Sequence, residues 1–375
     1  MHAKVALIIR NLRQFGGGEK DLITLTEGLN KVGIVPDIFS EENTTDEEML
    51  HYFGKKIQYT WKPFSRPRNI LLRTLAEILL PHPLKNKLDN YDFVYDFTNK
   101  PPVLRNSKKY LKYIYVIEDK RVLDRSFYRK LQYNFYTFLT SLGIKKFKKI
   151  APGIINVTQS HYIQAEIKEK TGIEVPIIYP PVDIHAFNAN VQKKSQVICL
   201  GRISPEKNQL FVLKLAKRLK NEQEKEIISF YIIGINDDKA YYSTLRSYKN
   251  EHGLENVHFI TNASRKEVKD TLAESLYFIS ATQDEHFGIA VVEGIASACV
   301  PLCHNSGGHK EVVRDNSLLF DDLDDAETML ENLLSLNKDD VARLQQKLQK
   351  HIAQYNENVF VSKMIAYLKS ETQTK

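Results

Sequence analysis

Leu276-Tyr277-Phe278-Ile279-Ser280-Ala281, Asp284-Glu285-His286-Phe287-Gly288, Ile289-Ala290-Val291-Val292-Glu293-Gly294-Ile295-Ala296-Ser297-Ala298 and Val300-Pro301-Leu302-Cys303 follow one another in a single stretch. The first segment is a short apolar run and reads as a strand buried on both faces. Ile289 to Ala298 reads as a helix and Val300 to Cys303 as the next strand. Ligands of open α/β sheets bind at the carboxyl ends of strands, which is where Glu285 falls. Its carboxylate can accept hydrogen bonds from ligand hydroxyls. The backbone N–H groups of Phe287, Gly288 and Ile289 lie at a helix start, where an anion is favoured. Glu293 follows two helical turns later in an otherwise apolar run, so its burial is costly unless a ligand or partner satisfies it. It cannot share the ligand atom of Glu285, but it can reach a neighbouring part of a long ligand, such as ribose hydroxyls.

The strand–turn–helix pattern extends in both directions. Val197 to Leu200 is a strand ending at Gly201-Arg202-Ile203-Ser204-Pro205-Glu206-Lys207-Asn208, and a helix runs from Asn208 to Leu219. Arg202, through its planar fork, and Lys207, as a mobile point charge, can neutralise a diphosphate there; a charged loop with a helix cap is the plainer alternative. Strands are expected at Ile227–Ile233, Val257–Ile260 and Leu318–Phe320, with helices at Arg265–Ser275, Asp325–Leu334 and Lys338–Ala353. Asn305-Ser306-Gly307-Gly308 follows the Val300 strand. It reads either as a loop offering N–H groups to a sugar or phosphate, or as a plain turn.

Upstream, Val5–Ile9, Gly16-Gly17-Gly18, Glu19–Leu29 and Val35–Ser40 repeat the strand, glycine loop, helix, strand order. Further strands are expected at Asp92–Asp96, Tyr113–Ile117 and Ile154–Thr158, with a helical stretch from Ser160 through Lys170. Glu174–Tyr179 then leads to Pro180-Pro181, a stiff element that suits a domain junction. A chain of 375 residues exceeds the roughly 250–300 at which one core divides. The expected architecture is therefore α/β, with two doubly wound domains, 1–180 and 181–352, facing a central cleft, and a terminal helical segment, 353–375.

Composition narrows the class. Forty-two per cent hydrophobic and 26% charged residues describe an ordinary globular protein. The opening apolar run is too short for a secretory signal, and no stretch approaches the roughly 20 apolar residues of a membrane span. Cys199, Cys299 and Cys303 have no metal-ligand spacing and read as reduced core thiols of a cytoplasmic protein. The net charge is +7 and uneven. From Arg105 to Lys149 there are thirteen Lys or Arg against Glu118, Asp119 and Asp124. Just before it, the apolar helical stretch Asn69–Leu80 ends at Pro81. Both segments fit an anionic membrane surface; a core helix and a solvated face fit them equally.

These residues resemble the retaining GT-B glycosyltransferases of family four. Glu285 and Glu293 match its two glutamates separated by seven residues, Gly201-Arg202 with Lys207 its basic diphosphate pair, and Gly16-Gly17-Gly18-Glu19 its amino-terminal glycine loop. Within the family, Glu285-His286-Phe287-Gly288-Ile289, His304-Asn305-Ser306-Gly307-Gly308 and Tyr179-Pro180-Pro181-Val182-Asp183 are most similar to the α-1,2-mannosyltransferases of dolichol-linked oligosaccharide assembly. The resemblance implies a hexosyltransferase moving mannose from GDP-mannose to a lipid-linked oligosaccharide or membrane glycan. It would be peripheral on the cytosolic face of a membrane, with no other cofactor. Arg202 and Lys207 would hold the diphosphate, Glu293 the ribose and Glu285 the sugar hydroxyls. Phe287, Gly288 and Ile289 would line the sugar–phosphate pocket, and Gly17 and Gly18 would approach the phosphate and acceptor. The terminal helix would cross back onto the first domain.

The chain departs from the family where Tyr113-Ile114-Tyr115-Val116-Ile117-Glu118-Asp119-Lys120 lacks a customary His. Glu118 or Asp119 either replaces it or caps a helix. His309 stands where relatives carry Pro, and reads as a surface residue that loosens the backbone. Asn262 replaces a glycine and can take the same left-handed backbone. Asp322-Leu323-Asp324 reads as a helix-capping turn rather than a metal-chelating pair, so no essential metal is expected. Alternatives within the family are a UDP-glucose or UDP-GlcNAc donor and a polysaccharide or glycolipid acceptor. A non-catalytic sugar-nucleotide binder would be expected to lose Glu285, Arg202 or Lys207. A nucleic-acid partner, which would bind with steep salt dependence, is not expected.

Overall fold

The computed structural model describes residues 3–65, 84–98, 109–115, 154–187, 191–220 and 228–372. The chain falls into two compact units. One comprises Met1–Met49, Lys55–Tyr179 and Phe360–Lys375; the other comprises Leu50–Gly54 and Pro180–Val359. The stretch 69–80, the acidic pair Glu118 and Asp119, and nearly all of the basic run 105–149 lie outside the described residues.

The first part of the chain runs β1 (Val5–Ile8), α1 (Gly17–Lys31), β2 (Asp37–Ser40), α2 (Asp46–Phe53), β3 (Thr60–Pro63), α3 (Lys85–Leu88), β4 (Phe93–Asp96), β5 (Tyr110–Ile114), β6 (Ile155–Thr158) and α4 (His161–Thr171). The six strands are all parallel, in the order β3-β2-β1-β4-β5-β6. Period-two alternation explains why β1 is apolar throughout. Val5 and Leu7 pack with Leu22, Leu25 and Leu29 of α1 on one face, and Ala6 and Ile8 pack with Phe39, Leu84 and Leu88 on the other.

The second part runs β7 (Lys194–Leu200), α5 (Gln209–Lys220), β8 (Ser229–Gly234), α6 (Lys239–Glu251), β9 (Val257–Thr261), α7 (Arg265–Glu274), β10 (Ser275–Ser280), α8 (Ile289–Ala296), β11 (Val300–His304), α9 (His309–Val313), β12 (Leu319–Phe320), α10 (Leu323–Ser335), α11 (Lys338–Ile352) and α12 (Glu357–Thr372). Its parallel sheet has the order β12-β11-β10-β7-β8-β9. Counted from each unit's own first strand, the two orders are the same. Both are the doubly wound arrangement in which the first and fourth strands are neighbours and the winding reverses between them. In the second unit that switch point lies between β7 and β10.

Several elements differ from expectation for physical reasons. The strand placed at Tyr113–Ile117 begins at Tyr110 and ends at Ile114. Lys112 disguises it, because its charge is buried mid-strand against Asp96, 2.8 Å away. Strand β3 went unforeseen because Lys62 and Pro63 mark it as an edge strand, where an unpaired N–H is not missed. Helix α6 buries only Leu245, and its stripe is completed by tyrosines, Tyr241 and Tyr248, in place of the aliphatic residues that mark a core-facing helix. Glu174–Tyr179, which leads to Pro180-Pro181, touches the sheet through a single bridge of Ile177 to Thr158. Asn262 does adopt the left-handed backbone, with φ 56°, and its side chain accepts from Asn236 N–H. All three cysteines are buried and free.

Helix α12 contributes Phe360, Met364, Ile365 and Leu368 to the core around β1 and α1. Tyr95 in β4 donates from its hydroxyl to the Met364 carbonyl at 3.0 Å. The contact with α1 requires a glycine: a Cβ on Gly28 would lie 2.3 Å from Val361 Cγ1. Gly28→Ala is therefore expected to destabilise the chain by about 1–3 kcal/mol through overpacking, despite the better helix propensity of alanine. Adding Val361→Ala should recover at least half of that loss in urea denaturation. Gly28→Ala with unchanged stability would contradict the packing.

Candidate functional site

Two loops leave the switch point of the second sheet. The loop after β7 carries Arg202 and Lys207, and the loop after β10 carries Glu285. Lys207 Nζ lies 2.5 Å from Glu285 Oε2, so the two loops are joined by an ion pair. Glu285 Oε1 also accepts from the His286 N–H at 3.0 Å. Burial would raise the Glu285 carboxyl, but Lys207 outweighs it and holds the group well below the usual carboxylate range. Glu285 is therefore an ionised acceptor, not a proton donor.

The β7 loop is shaped by close backbone packing. Gly201 N–H donates to Ile233 O at 3.0 Å, and a Cβ on Gly234 would meet Gly201 O at 1.7 Å. A short 3-10 turn, Pro205–Lys207, then ends at Asn208 in the left-handed region, φ 52°, which turns Lys207 back toward β10. Arg202 is held between Asp237 at 2.9 Å and Glu206 at 3.2 Å. Its side chain stays 37% exposed.

The β10 loop rests on the loop after β11. Asp284 takes a left-handed backbone, φ 50°, and its N–H donates to Ser306 Oγ at 2.8 Å. Cβ atoms on Gly307 and Gly308 would come 2.3 Å from Glu285 O and 2.5 Å from Phe287 Cα. The amides of Asn305, Ser306 and Gly308 are spent on Phe320, His304 and Glu285 carbonyls. Of the two readings of Asn305–Gly308, the structure favours a supporting turn over a set of ligand-facing donors. His309 is not the surface residue expected: it is fully buried. Its Nδ1–H donates to His304 O at 3.1 Å, and burial pushes its pKa down to about 4, so the ring is neutral.

Gly288, φ 104°, opens helix α8. A helix leaves its first amides without intrahelical acceptors, and here those of Ile289 and Ala290 follow Glu285 after the three residues His286, Phe287 and Gly288. Phe287 is buried, edge-on to Tyr355. Glu293 is only 4% exposed, and its carboxylate receives both guanidinium arms of Arg265, at 2.8 and 3.2 Å. Sequence reasoning missed Arg265. A signal was present: an arginine in the first turn of a helix opposes the macrodipole, so some other interaction must hold it. Gly17 and Gly18 belong to the first unit, where they open α1. Glu19 caps that helix through a bond from the Gly16 N–H at 2.9 Å. Asp322 is a capping residue as read, its Oδ1 accepting from Asp324 and Asp325 N–H.

Residues 183–359 match the family model of "Glycosyl transferases group 1". The mouse GDP-Man:Man(3)GlcNAc(2)-PP-Dol alpha-1,2-mannosyltransferase is 35% identical over 154 residues, 38% of this chain and 31% of the mouse protein. The Xenopus tropicalis protein of the same name is 28% identical over 207 residues, 51% of this chain and 42% of its own length. The chain thus spans less than half the length of these two relatives. Among solved structures, a glycosyltransferase from Rickettsia africae matches with a TM-score of 0.72 at 16% identity, covering 100% of both chains. Anabaena HepE, crystallised with UDP and glucose, matches with a TM-score of 0.73 at 14% identity, covering 98% of this chain and 100% of its own. The chain therefore has the GT-B fold, and its residues 183–359, just under half of its length, are similar to the glycosyl transferases group 1 family.

Proposed function

We propose that this chain is a retaining family four glycosyltransferase that moves mannose from GDP-mannose to a lipid-linked oligosaccharide, forming an α-1,2 linkage. The observation that carries the reading is the Lys207–Glu285 pair at the switch point of the second sheet, beside the start of α8. The mammalian and amphibian relatives, named for GDP-mannose and an α-1,2 linkage, support the choice of donor.

In this reading Lys207 keeps one N–H on Glu285 and turns the others to the donor diphosphate, with Arg202 and the first amides of α8 completing the cradle. Glu285, ionised, accepts hydrogen bonds from the sugar hydroxyls. Glu293, fixed by Arg265, accepts from the ribose hydroxyls. The bond between the anomeric carbon and the diphosphate oxygen breaks while the acceptor oxygen bonds to the same face of that carbon. The acceptor proton passes to the departing diphosphate. Charge growing on that leaving group is what Lys207, Arg202 and the helix amides stabilise. No carboxylate serves as a covalent nucleophile. No described helix is long and apolar enough to cross a membrane, and contact with the cytosolic face of a membrane is proposed to be peripheral.

The direct test is a panel of nucleotide sugars with a lipid-linked mannosyl acceptor. Transfer from GDP-mannose with an α-anomeric product is expected, and transfer from UDP-glucose alone would overturn the assignment. Lys207→Met should weaken donor binding by about 30-fold or more, read by calorimetry. It also changes the pH dependence of stability. The depressed Glu285 pKa contributes stability that is present above the ordinary glutamate value of about 4.3 and lost only as pH falls toward the folded value. Without Lys207 the carboxyl is left buried and unpaired, so its cost should appear at neutral pH and ease as acid protonates it. Glu293→Ala should lower stability by about 3–5 kcal/mol in denaturant titrations, because it strands the Arg265 guanidinium. A Glu293→Ala chain of unchanged stability would contradict the Arg265 pairing.

A further inference from the structure

The edge of the first sheet carries a second feature that the donor site does not use. Trp61, on β3, is the only tryptophan in the chain and is 36% exposed. No other Phe, Tyr or Trp among the described residues is as exposed. Its indole is fixed, because Nε1–H donates to Ser40 Oγ at 3.0 Å. The ring borders a concavity of about 390 Å³ that is also lined by Val35, Asn43, Asp46, Gln58 and Tyr59. That volume lies within the roughly 300–1,000 Å³ of small-molecule sites.

The polar groups around this concavity are of one kind. Tyr59 donates its hydroxyl to Asn43 Oδ1 at 2.9 Å, which leaves the Asn43 Nδ2 donors available. The Gln58 backbone is held on both sides by Asn30, at 2.7 and 2.9 Å, while its exposed side-chain amide makes no hydrogen bond to the protein. The Asp46 carboxylate makes no hydrogen bond to a described residue, and its charge acts on Tyr59. Two planar amides and a carboxylate therefore share the lining of one concavity with the indole. Among the described residues no lysine or arginine lines the concavity, and the charge that the lining presents to a ligand is the negative charge of Asp46.

A neutral ligand with one apolar face and a rim of hydroxyls matches this lining. The ring C–H face of a hexose stacks on an aromatic plane, and its vicinal hydroxyls pair with amides and carboxylates that can donate and accept together. We infer that the Trp61 edge of the first unit is a hexose-binding subsite, taking a sugar unit of a glycan and separate from the donor residues. The inference stands whether or not the donor is GDP-mannose.

Because Trp61 is the sole tryptophan, its fluorescence reports on the subsite without labelling. α-1,2-Mannobiose and maltose, titrated separately into the full chain, should shift the emission saturably in the millimolar range for at least one of the two. Asn43→Ala and Gln58→Ala should each weaken that response about 3–10-fold, and Lys207→Met should leave it unchanged. Gln58 is exposed, so its variant remains informative if Asn43→Ala misfolds. Absence of a saturable shift with either disaccharide up to about 100 mM, a binding free energy near 1.4 kcal/mol, would overturn the subsite. So would a saturable shift that neither variant alters, or one produced by inorganic phosphate or GDP instead of sugar.

Discussion

The Lys207–Glu285 ion pair joins the two loops that leave the switch point of the second sheet, and the rest of the site is arranged around it. Its place follows from topology. Parallel strands deliver their carboxyl ends to one edge, and the reversal of winding between β7 and β10 leaves a gap there that no crossover helix covers. The chain holds that gap open with close backbone contacts: Gly234 beneath Gly201, and Gly307 and Gly308 beneath Glu285 and Phe287. Side chains at these glycines would push the loops apart and separate lysine from glutamate.

On the proposed reading, the cations of this arrangement are shared between carboxylates and a donor diphosphate. Each cation already has carboxylate company, Arg202 with Glu206 and Asp237 and Lys207 with Glu285. The Arg202 pairs are partly exposed and worth little alone, so a diphosphate can draw the guanidinium away cheaply. The Lys207 pair is more enclosed, and on the proposed reading it persists, with the ammonium bridging carboxylate and phosphate. Glu293 makes the opposite arrangement. Its bidentate bond to Arg265 inside the fold keeps a charged acceptor in an apolar helix, a position that would otherwise favour a hydrophobic residue.

The sheets were legible in the sequence because buried parallel strands are continuous apolar runs and their helices carry leucine stripes. What escaped was polar by necessity. Lys112 hid the start of β5 because its partner Asp96 lies on another strand, and no local pattern reveals such a pair. Trp61 sits on an edge strand that lysine and proline make look like a loop. At the site, Arg202, Lys207, Glu285 and Glu293 could be picked out by strand-end position and by the cost of a glutamate in an apolar run. Arg265 left only the signal of a cation in the first turn of a helix, and the buried, neutral His309 left none, since its role is set by contacts across the fold. The Asn305–Gly308 loop was misleading in another sense, for its glycines serve close packing more than ligand approach.

The most direct measurement is a crystal structure of the chain with an intact nucleotide sugar. The account predicts the diphosphate on Lys207 Nζ and Arg202 at the start of α8, with the sugar hydroxyls on Glu285 and the ribose at Glu293. A donor bound elsewhere, with no phosphate oxygen in contact with Lys207, would contradict it.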